Sequence, residues 1–284
     1  MENNKRCYYY KKYFFENCIF DNIVDCCIVL LMEHDKEREK HVLKTINKYK
    51  LCRNTIIQYN KGYKKCNKKL YEQTSIYDIN DAYYTAFKYA DSENYKNILI
   101  LEDDAIFDNN IKNPKVIKDI ELLYKNKEVN MFHLGPACSL FDPLSILVDT
   151  YNCKKILFTA VTHANIYNNK FREIYYKSYE TGNRSVSVDQ NHNMFVYGNI
   201  YTYNKPLAVQ PIIETENLKS WGFGKIKIGY FFLYIVNKIL GLDTKNKPVQ
   251  SYKKLFKIFF LVNIIFYIVL ILIIIKVLKI IFKN

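Results

Sequence analysis

No C-x-x-C pair joins any of the eight cysteines, Cys7, Cys18, Cys26, Cys27, Cys52, Cys66, Cys138 and Cys153. The spacing signatures of a structural zinc site and of a disulfide framework are therefore both missing. Cys26 and Cys27 sit in an apolar run and read as plain core residues, which suits a reducing compartment. No secretory signal opens the chain, because residues 1–20 mix Lys11, Lys12 and Glu16 among aromatics without an apolar core region or a small-residue cleavage site. No internal repeat appears, so the chain is not a repeat array. Excess charge is missing from most of it too. Of the net +14, 12 lysines against the single acid Asp243 lie from Lys219 onward, which leaves the preceding body close to neutral. A basic groove for nucleic acid is thereby excluded as an expectation, since the positive charge belongs to the tail.

What the tail does contain is Ile258 to Ile275, IFFLVNIIFYIVLILIII, an uncharged run at the roughly 18-residue threshold for crossing a bilayer. Lys253, Lys254 and Lys257 precede it and Lys276, Lys279 and Lys283 follow, placing snorkelling cations at both ends. We read it as a transmembrane helix. Flanking charge sets no orientation; the missing signal makes a tail anchor with a cytosol-facing body the expectation. Ile226 to Leu242 is nearly as apolar but is interrupted by Lys227 and Lys238, and fits an interfacial or core-packing helix better. The sequon Asn183-Arg184-Ser185 reads as a chance match. The abundance of Lys, Asn, Ile and Tyr points to an AT-biased genome, such as that of a large DNA virus or a protist.

Strands and helices alternate along the first half. Cys26 to Met32 reads as a strand, Lys36 to Tyr49 as a charged helix with Val42, Leu43 and Ile46 inward, and Ile56 to Tyr59 as a short strand. Ile79, Ala82, Tyr83, Ala86, Phe87 and Ala90 fall on one helical face, with Asp78 expected as N-cap. Ile98 to Leu101 is a buried strand, Val116 to Tyr124 a helix, and Val129 to Leu134 a strand stopped by Gly135-Pro136. Later, Phe158 to Thr162, Ile200 to Tyr203 and Leu207 to Val209 read as strands and Lys170 to Tyr179 as a helix; Asp243 to Lys254 is linker-like. The alternation predicts an α/β fold, a mostly parallel sheet with helices on its faces.

The most telling feature is Ile98-Leu99-Ile100-Leu101-Glu102-Asp103-Asp104, an apolar strand ending in three carboxylates. In open α/β sheets ligands sit beyond the carboxyl ends of strands, and Mn²⁺ or Mg²⁺ prefers carboxylate and phosphate oxygens. Strand alternation sets Glu102 and Asp104 on one side, as metal and ribose ligands, with Asp103 facing away. Asp104 is the first choice for direct metal contact. A departing diphosphate needs such a cation, so a nucleotide-sugar site is expected.

These pieces, in this order, resemble glycosyltransferase family 25, the lipopolysaccharide-biosynthesis and collagen-galactosyltransferase group. The similar segments are Cys27 to Leu31 followed by Asp35-Lys36-Glu37-Arg38, the block Ile100 to Asp104, the stretch Thr159 to Tyr179, Val188-Asp189, and Pro206-Leu207-Ala208-Val209-Gln210. The resemblance spans roughly Cys26 to Pro211. It implies a GT-A (Rossmann-like) fold, a UDP-sugar or similar donor, a divalent metal, and inverting transfer to a hydroxyl on a glycan, protein or lipid. An inverting transfer needs a general base. Asp189 is the candidate by position, with His192 and His163 as alternatives for the base or as a further metal ligand. Arg38, together with Lys64 and Lys65, is a candidate for donor phosphates, and Glu102 and Asp103 for the donor.

Two departures, Leu31-Met32 where the family carries Asn-Leu and Asn80-Asp81 where it carries Ser-His, leave a catalytically degenerate membrane adaptor as one alternative. A metal-dependent phosphoryl-transfer enzyme is the other, although no Asp-x-Asp-Gly-Thr pattern is present. The expected division is an N-terminal extension (1–25), a glycosyltransferase-like domain (26–218), a basic amphipathic or linker segment (219–257), the membrane helix (258–275) and a basic tail (276–284).

Overall fold

A computed structural model describes residues 7–136, 139–159, 162–180, 197–211, 238–243 and 246–282. The apolar run Cys26–Met32 forms strand β2, and its two faces feed separate cores: Cys27, Val29 and Leu31 on one side, Cys26, Ile28 and Leu30 on the other. A strand without polar alternation is what a central, doubly covered position requires. Helix α1 (Lys36–Tyr49) starts where the Asp35 carboxylate accepts the Arg38 amide at 2.9 Å, and it stops at Lys50, whose φ of 46° is left-handed.

With β1 (Tyr8–Phe14), β3 (Asn54–Asn60), β4 (Ile98–Glu102), β6 (Met131–His133), β7 (Ser139–Phe141), β8 (Cys153–Thr159), β9 (Ala164–Tyr167) and β10 (Ile200–Tyr203), β2 builds a nine-stranded sheet. Its order is β1-β3-β2-β4-β9-β6-β10-β8-β7. The strands β2, β3, β4, β6, β7 and β10 run one way and β1, β8 and β9 the other. Helices α1 and α3 (Pro114–Asn126) cover one face, and α2 (Ser75–Ser92) and α5 (Asn169–Glu180) the other. The expected α/β architecture with a mostly parallel sheet is the one observed.

Four local expectations change. The first strand lies earlier than expected: β1, inside the segment taken as an N-terminal extension, pairs antiparallel with β3 and stacks Tyr9 on Tyr59 at 4.6 Å. Its aromatic-and-lysine sequence suits a sheet edge, where charge discourages further pairing. The strand expected at 158–162 is two strands, β8 ending at Thr159 and β9 beginning at Ala164, with β9 wedged antiparallel between β4 and β6. Helix α2 begins at Ser75, so Asp78 is not its N-cap. Asp78 instead pairs with Lys68, a side chain 1% exposed that also donates to Asn60 Oδ1 (2.7 Å) and contacts the Tyr8 hydroxyl (2.6 Å).

Finally, Cys7 and Cys66 form a disulfide with Cα atoms 5.6 Å apart, although the cysteine spacing carries no disulfide signature. The bond joins residues 59 apart in sequence, a pairing that no local motif encodes. Among the described residues Cys18, Cys26, Cys27, Cys52 and Cys153 remain thiols.

Near the C-terminus one helix, α6, runs unbroken from Pro248 to Ile281, so the second half of the linker-like stretch is already helical. It is long and apolar enough to cross a membrane, with a window of mean hydropathy 3.3. Its first turns are docked on the body. Tyr252, Leu255, Phe256, Phe259, Phe260, Asn263 and Tyr267 recur at helical spacing along the docked side; from Ile268 onward the side chains are exposed.

Candidate functional site

Strand β4 delivers the three carboxylates at the carboxyl end of the sheet, beside the carboxyl end of its parallel neighbour β2. The Glu102 amide donates to the His163 carbonyl at 2.9 Å, and the chain then turns, with Ala105 donating back to Glu102 at 3.2 Å. Helix α1 braces the turn from one side. His41 Nε2 meets the Ala105 carbonyl at 3.1 Å, and the Tyr49 hydroxyl donates to the Phe107 carbonyl at 3.0 Å. Directly afterwards β5 (Ile106–Phe107) pairs with β11 (Ala208–Val209), forming a short ribbon that folds the far end of the domain back onto the acids.

That ribbon places Gln210. Its Nε2 donates to Asp104 Oδ2 at 2.9 Å and lies 3.4 Å from Glu102 Oε2. Glu102 and Asp104 thus share one amide, as expected for residues on the same side of a strand end. Glu102 Oε1 accepts the Thr162 hydroxyl at 2.5 Å and lies 3.1 Å from the Tyr83 hydroxyl. Asp103 departs from expectation: it does not face away alone. Arg38 Nη1, from the first turn of α1, donates to Asp103 Oδ1 at 2.5 Å and sits 3.2 Å from Asp104 Oδ2. Asp103 and Asp104 therefore share one guanidinium, and with Glu102 beside Asp104 at Gln210 the cluster is net negative when all three acids are ionised.

Burial pushes the Asp103 carboxyl up to about 6; Arg38 opposes the shift and the neighbouring Asp104 adds to it. Asp104 Oδ1 is buried and has no hydrogen-bond partner among the described residues. A buried carboxylate oxygen without a donor is costly, and a hard cation is the partner that such an oxygen lacks. No group of three or more His, Cys, Asp or Glu among the described residues could hold a metal by itself. A cation here would take a few protein oxygens and draw the rest from phosphate and water, as Mg²⁺ commonly does.

Comparisons with known proteins add little. No family model matches the chain, and no curated protein does. Among solved structures it is similar to one described as "Crystal structure of a glycosyltransferase involved in the glycosylation of the major capsid of PBCV-1", with a TM-score of 0.36 and 11% identity, covering 67% of this chain and 94% of that one. The functional reading rests on the site itself.

Of the other candidates, Lys64 and Lys65 are solvent-exposed, whereas Lys68, which sequence reasoning passed over, is the buried cation of that loop. His163 is fully buried, its ring edge-on to Tyr252 at 5.8 Å. Burial pushes its pKa down to about 4 against the pull of Asp104 and the Ala208 carbonyl. A general base needs hydrogen-bond reach to the acceptor hydroxyl, and the full burial of His163 weighs against that role. Asp189 and His192 lie outside the described residues, as does Asn183. Thr162 and Tyr83 carried no signal in the sequence. Gln210 did, as the last residue of the Pro-Leu-x-x-Gln segment, but without a role attached.

Proposed function

We propose that this protein is a metal-dependent glycosyltransferase that moves a sugar from a nucleotide-diphosphate donor, UDP-sugar in the first instance, to a hydroxyl acceptor with inversion. The acceptor class is a glycan, protein or lipid, and α6 anchors the enzyme to a membrane. The observation that carries this reading is the buried Asp104 Oδ1, without a partner among the described residues, at a strand end whose companion Glu102 shares the Gln210 amide with it. Bound there, Mn²⁺ or Mg²⁺ would offset the charge that builds on the departing diphosphate. The protein's own residues set the stage for it. Gln210 holds Glu102 and Asp104 in register, Thr162 and Tyr83 fix the far oxygen of Glu102, and Arg38 neutralises Asp103 while keeping its positive charge beside Asp104. Asp189, with His192 as the alternative, is proposed on position as the general base that takes the acceptor proton.

The test is calorimetry of UDP binding with Mn²⁺ and with EDTA, alongside a screen of UDP-sugars read out as free UDP. Mn²⁺-dependent binding and UDP release support the proposal. A second reading is favoured by the Arg38 ion pairs: the guanidinium itself supplies the positive charge, and the domain binds a nucleotide without turning it over. In that case binding survives EDTA and no UDP is released. The Cys7–Cys66 disulfide further favours an oxidising compartment for the body over the cytosol. A mobility shift between reduced and non-reduced protein taken directly from cells checks it.

A further inference from the structure

Lys257 and Lys276 bracket the uncharged stretch Ile258 to Ile275, which rises about 27 Å, close to the roughly 30 Å of a bilayer's hydrocarbon core. Yet the body does not let go of the helix at Ile258. Phe260 packs on Phe141 at 5.7 Å, Asn263 bonds both Ser139 and Phe141, and the Tyr267 hydroxyl donates to the Phe141 carbonyl at 2.7 Å. Tyr267 stands about 13 Å beyond Ile258 along the helix. Strand β7, the edge of the sheet, therefore lies level with the outer part of the apolar stretch.

Two features of that edge suit lipid. First, its backbone is satisfied without water. Asn263 Oδ1 accepts the Phe141 amide at 2.9 Å, and its Nδ2 donates to the Ser139 carbonyl at 2.9 Å. This explains the lone amide in an otherwise apolar run, since unpaired backbone groups are not tolerated in hydrocarbon. Second, the short helix α4 (Pro143–Leu147) that follows β7 turns apolar side chains outward: Leu144, Leu147 and the adjoining Val148 are 75%, 81% and 70% exposed. The acids beside them are engaged. Asp142 caps α4 through the Leu144 and Ser145 amides, and Asp149 pairs with Lys154, whose Nζ lies over the Phe260 ring at 4.8 Å.

We infer that the β7–α4 edge is immersed in the interfacial layer of the same bilayer that α6 crosses, so that the sheet stands edge-on to the membrane with β1 at its far side. Interfacial elements commonly sink about 5–10 Å, and Asn263, which holds the β7 backbone, stands about 8 Å beyond Ile258 along α6. The inference rests on α6 spanning a membrane, and the experiment separates the two. Leu147→Trp, Phe14→Trp and Ile271→Trp are made singly in the full-length chain, reconstituted in phosphatidylcholine vesicles with and without lipid brominated near the top of the acyl chains. Each is read against the parent protein, which contains one Trp. All three positions are exposed, so folding is not at stake. The added emission at position 147 should be lost to brominated lipid while that at position 14 is kept. Quenching at 271 without quenching at 147 overturns the immersion and leaves the anchor standing; no quenching at 271 overturns both. Equal quenching at 147 and 14 overturns the edge-on arrangement.

Discussion

Asp104 is the side chain whose loss should be felt most at the site, because its Oδ1 is buried without a donor among the described residues. Asp104→Ala is expected to abolish the Mn²⁺-dependent part of UDP binding while leaving the fold intact, since the strand behind it stays buried. Unchanged calorimetric affinity in Mn²⁺ would remove Asp104 from the metal site. Gln210 acts through the carboxylates it holds, so Gln210→Ala should weaken metal-dependent binding by about 10–100-fold, the usual cost of losing an outer-shell partner. Asp103 makes a separate prediction. Its carboxyl is raised to about 6 by burial, against an ordinary 3.8, with Arg38 opposing and Asp104 reinforcing. The folded chain therefore binds more protons between those values. Stability from this group is complete below about pH 4 and is lost as pH rises through 6. Asp103→Asn should flatten that part of a urea-denaturation profile, and a slope unchanged between pH 4 and 7 would show that another group is responsible. Lys68 is held by Tyr8, Asn60 and Asp78 and is 1% exposed. Lys68→Met leaves Asp78 and Asp81 buried without their cation and should cost about 3–5 kcal/mol in the same assay.

Loop 61–74 is tied to the start of β1 by the Cys7–Cys66 bond, at the residue before the strand, and by Lys68 at the Tyr8 hydroxyl. Closing a loop of this length is worth about 4 kcal/mol on chain entropy alone, and Cys66→Ser should lower unfolding stability by a few kcal/mol; an unaltered denaturation midpoint would mean that the bond is dispensable. This element was also the least legible part of the sequence. Regular periodicity made β2 and α1 readable to the residue: Cys26–Met32 is continuously apolar, and Val42 and Ile46 mark the inward face of Lys36–Tyr49. The disulfide, by contrast, depends on two distant segments meeting, and β1 reads YYYKKYF, without the apolar-polar alternation of a half-buried strand, so local reading takes it for part of an N-terminal extension. The strand β9 went unseen because Ala164–Tyr167 is four residues long and follows β8 without a recognisable turn signal. At the site the acids were legible, since an apolar strand cut off by Glu-Asp-Asp is a local pattern. Of their partners, Thr162 and Tyr83 were not, and Gln210 was marked by its motif without a role. They arrive from the loop before β9, from α2 and from the end of β11, and only the topology brings them together.

At the scale of the whole molecule, the first turns of α6 and the body are one packed unit. Truncation after Lys254 removes Leu255, Phe256, Phe260 and Asn263, uncovering Phe141 and the backbone of the sheet's edge. Burying each large apolar side chain contributes about 1.5–3 kcal/mol, so that truncated chain should aggregate or melt well below one ending after Tyr267, as a thermal scan of the two would show. Equal melting would mean that the docked stripe is ornamental. The stripe has a further consequence for what the protein meets. Tyr252 touches His163, whose carbonyl holds the Glu102 amide, and no joint separates Tyr252 from Asn263 on the same helix. The proposed site is thereby fixed at one altitude, about 16 Å up the helix from the level of Asn263. With α6 spanning a bilayer, as proposed, a domain held in this way would patrol a plane, where one on a flexible tether sweeps a volume. The helical register of α6 would then set how far from the lipid surface an acceptor hydroxyl has to stand to meet the site.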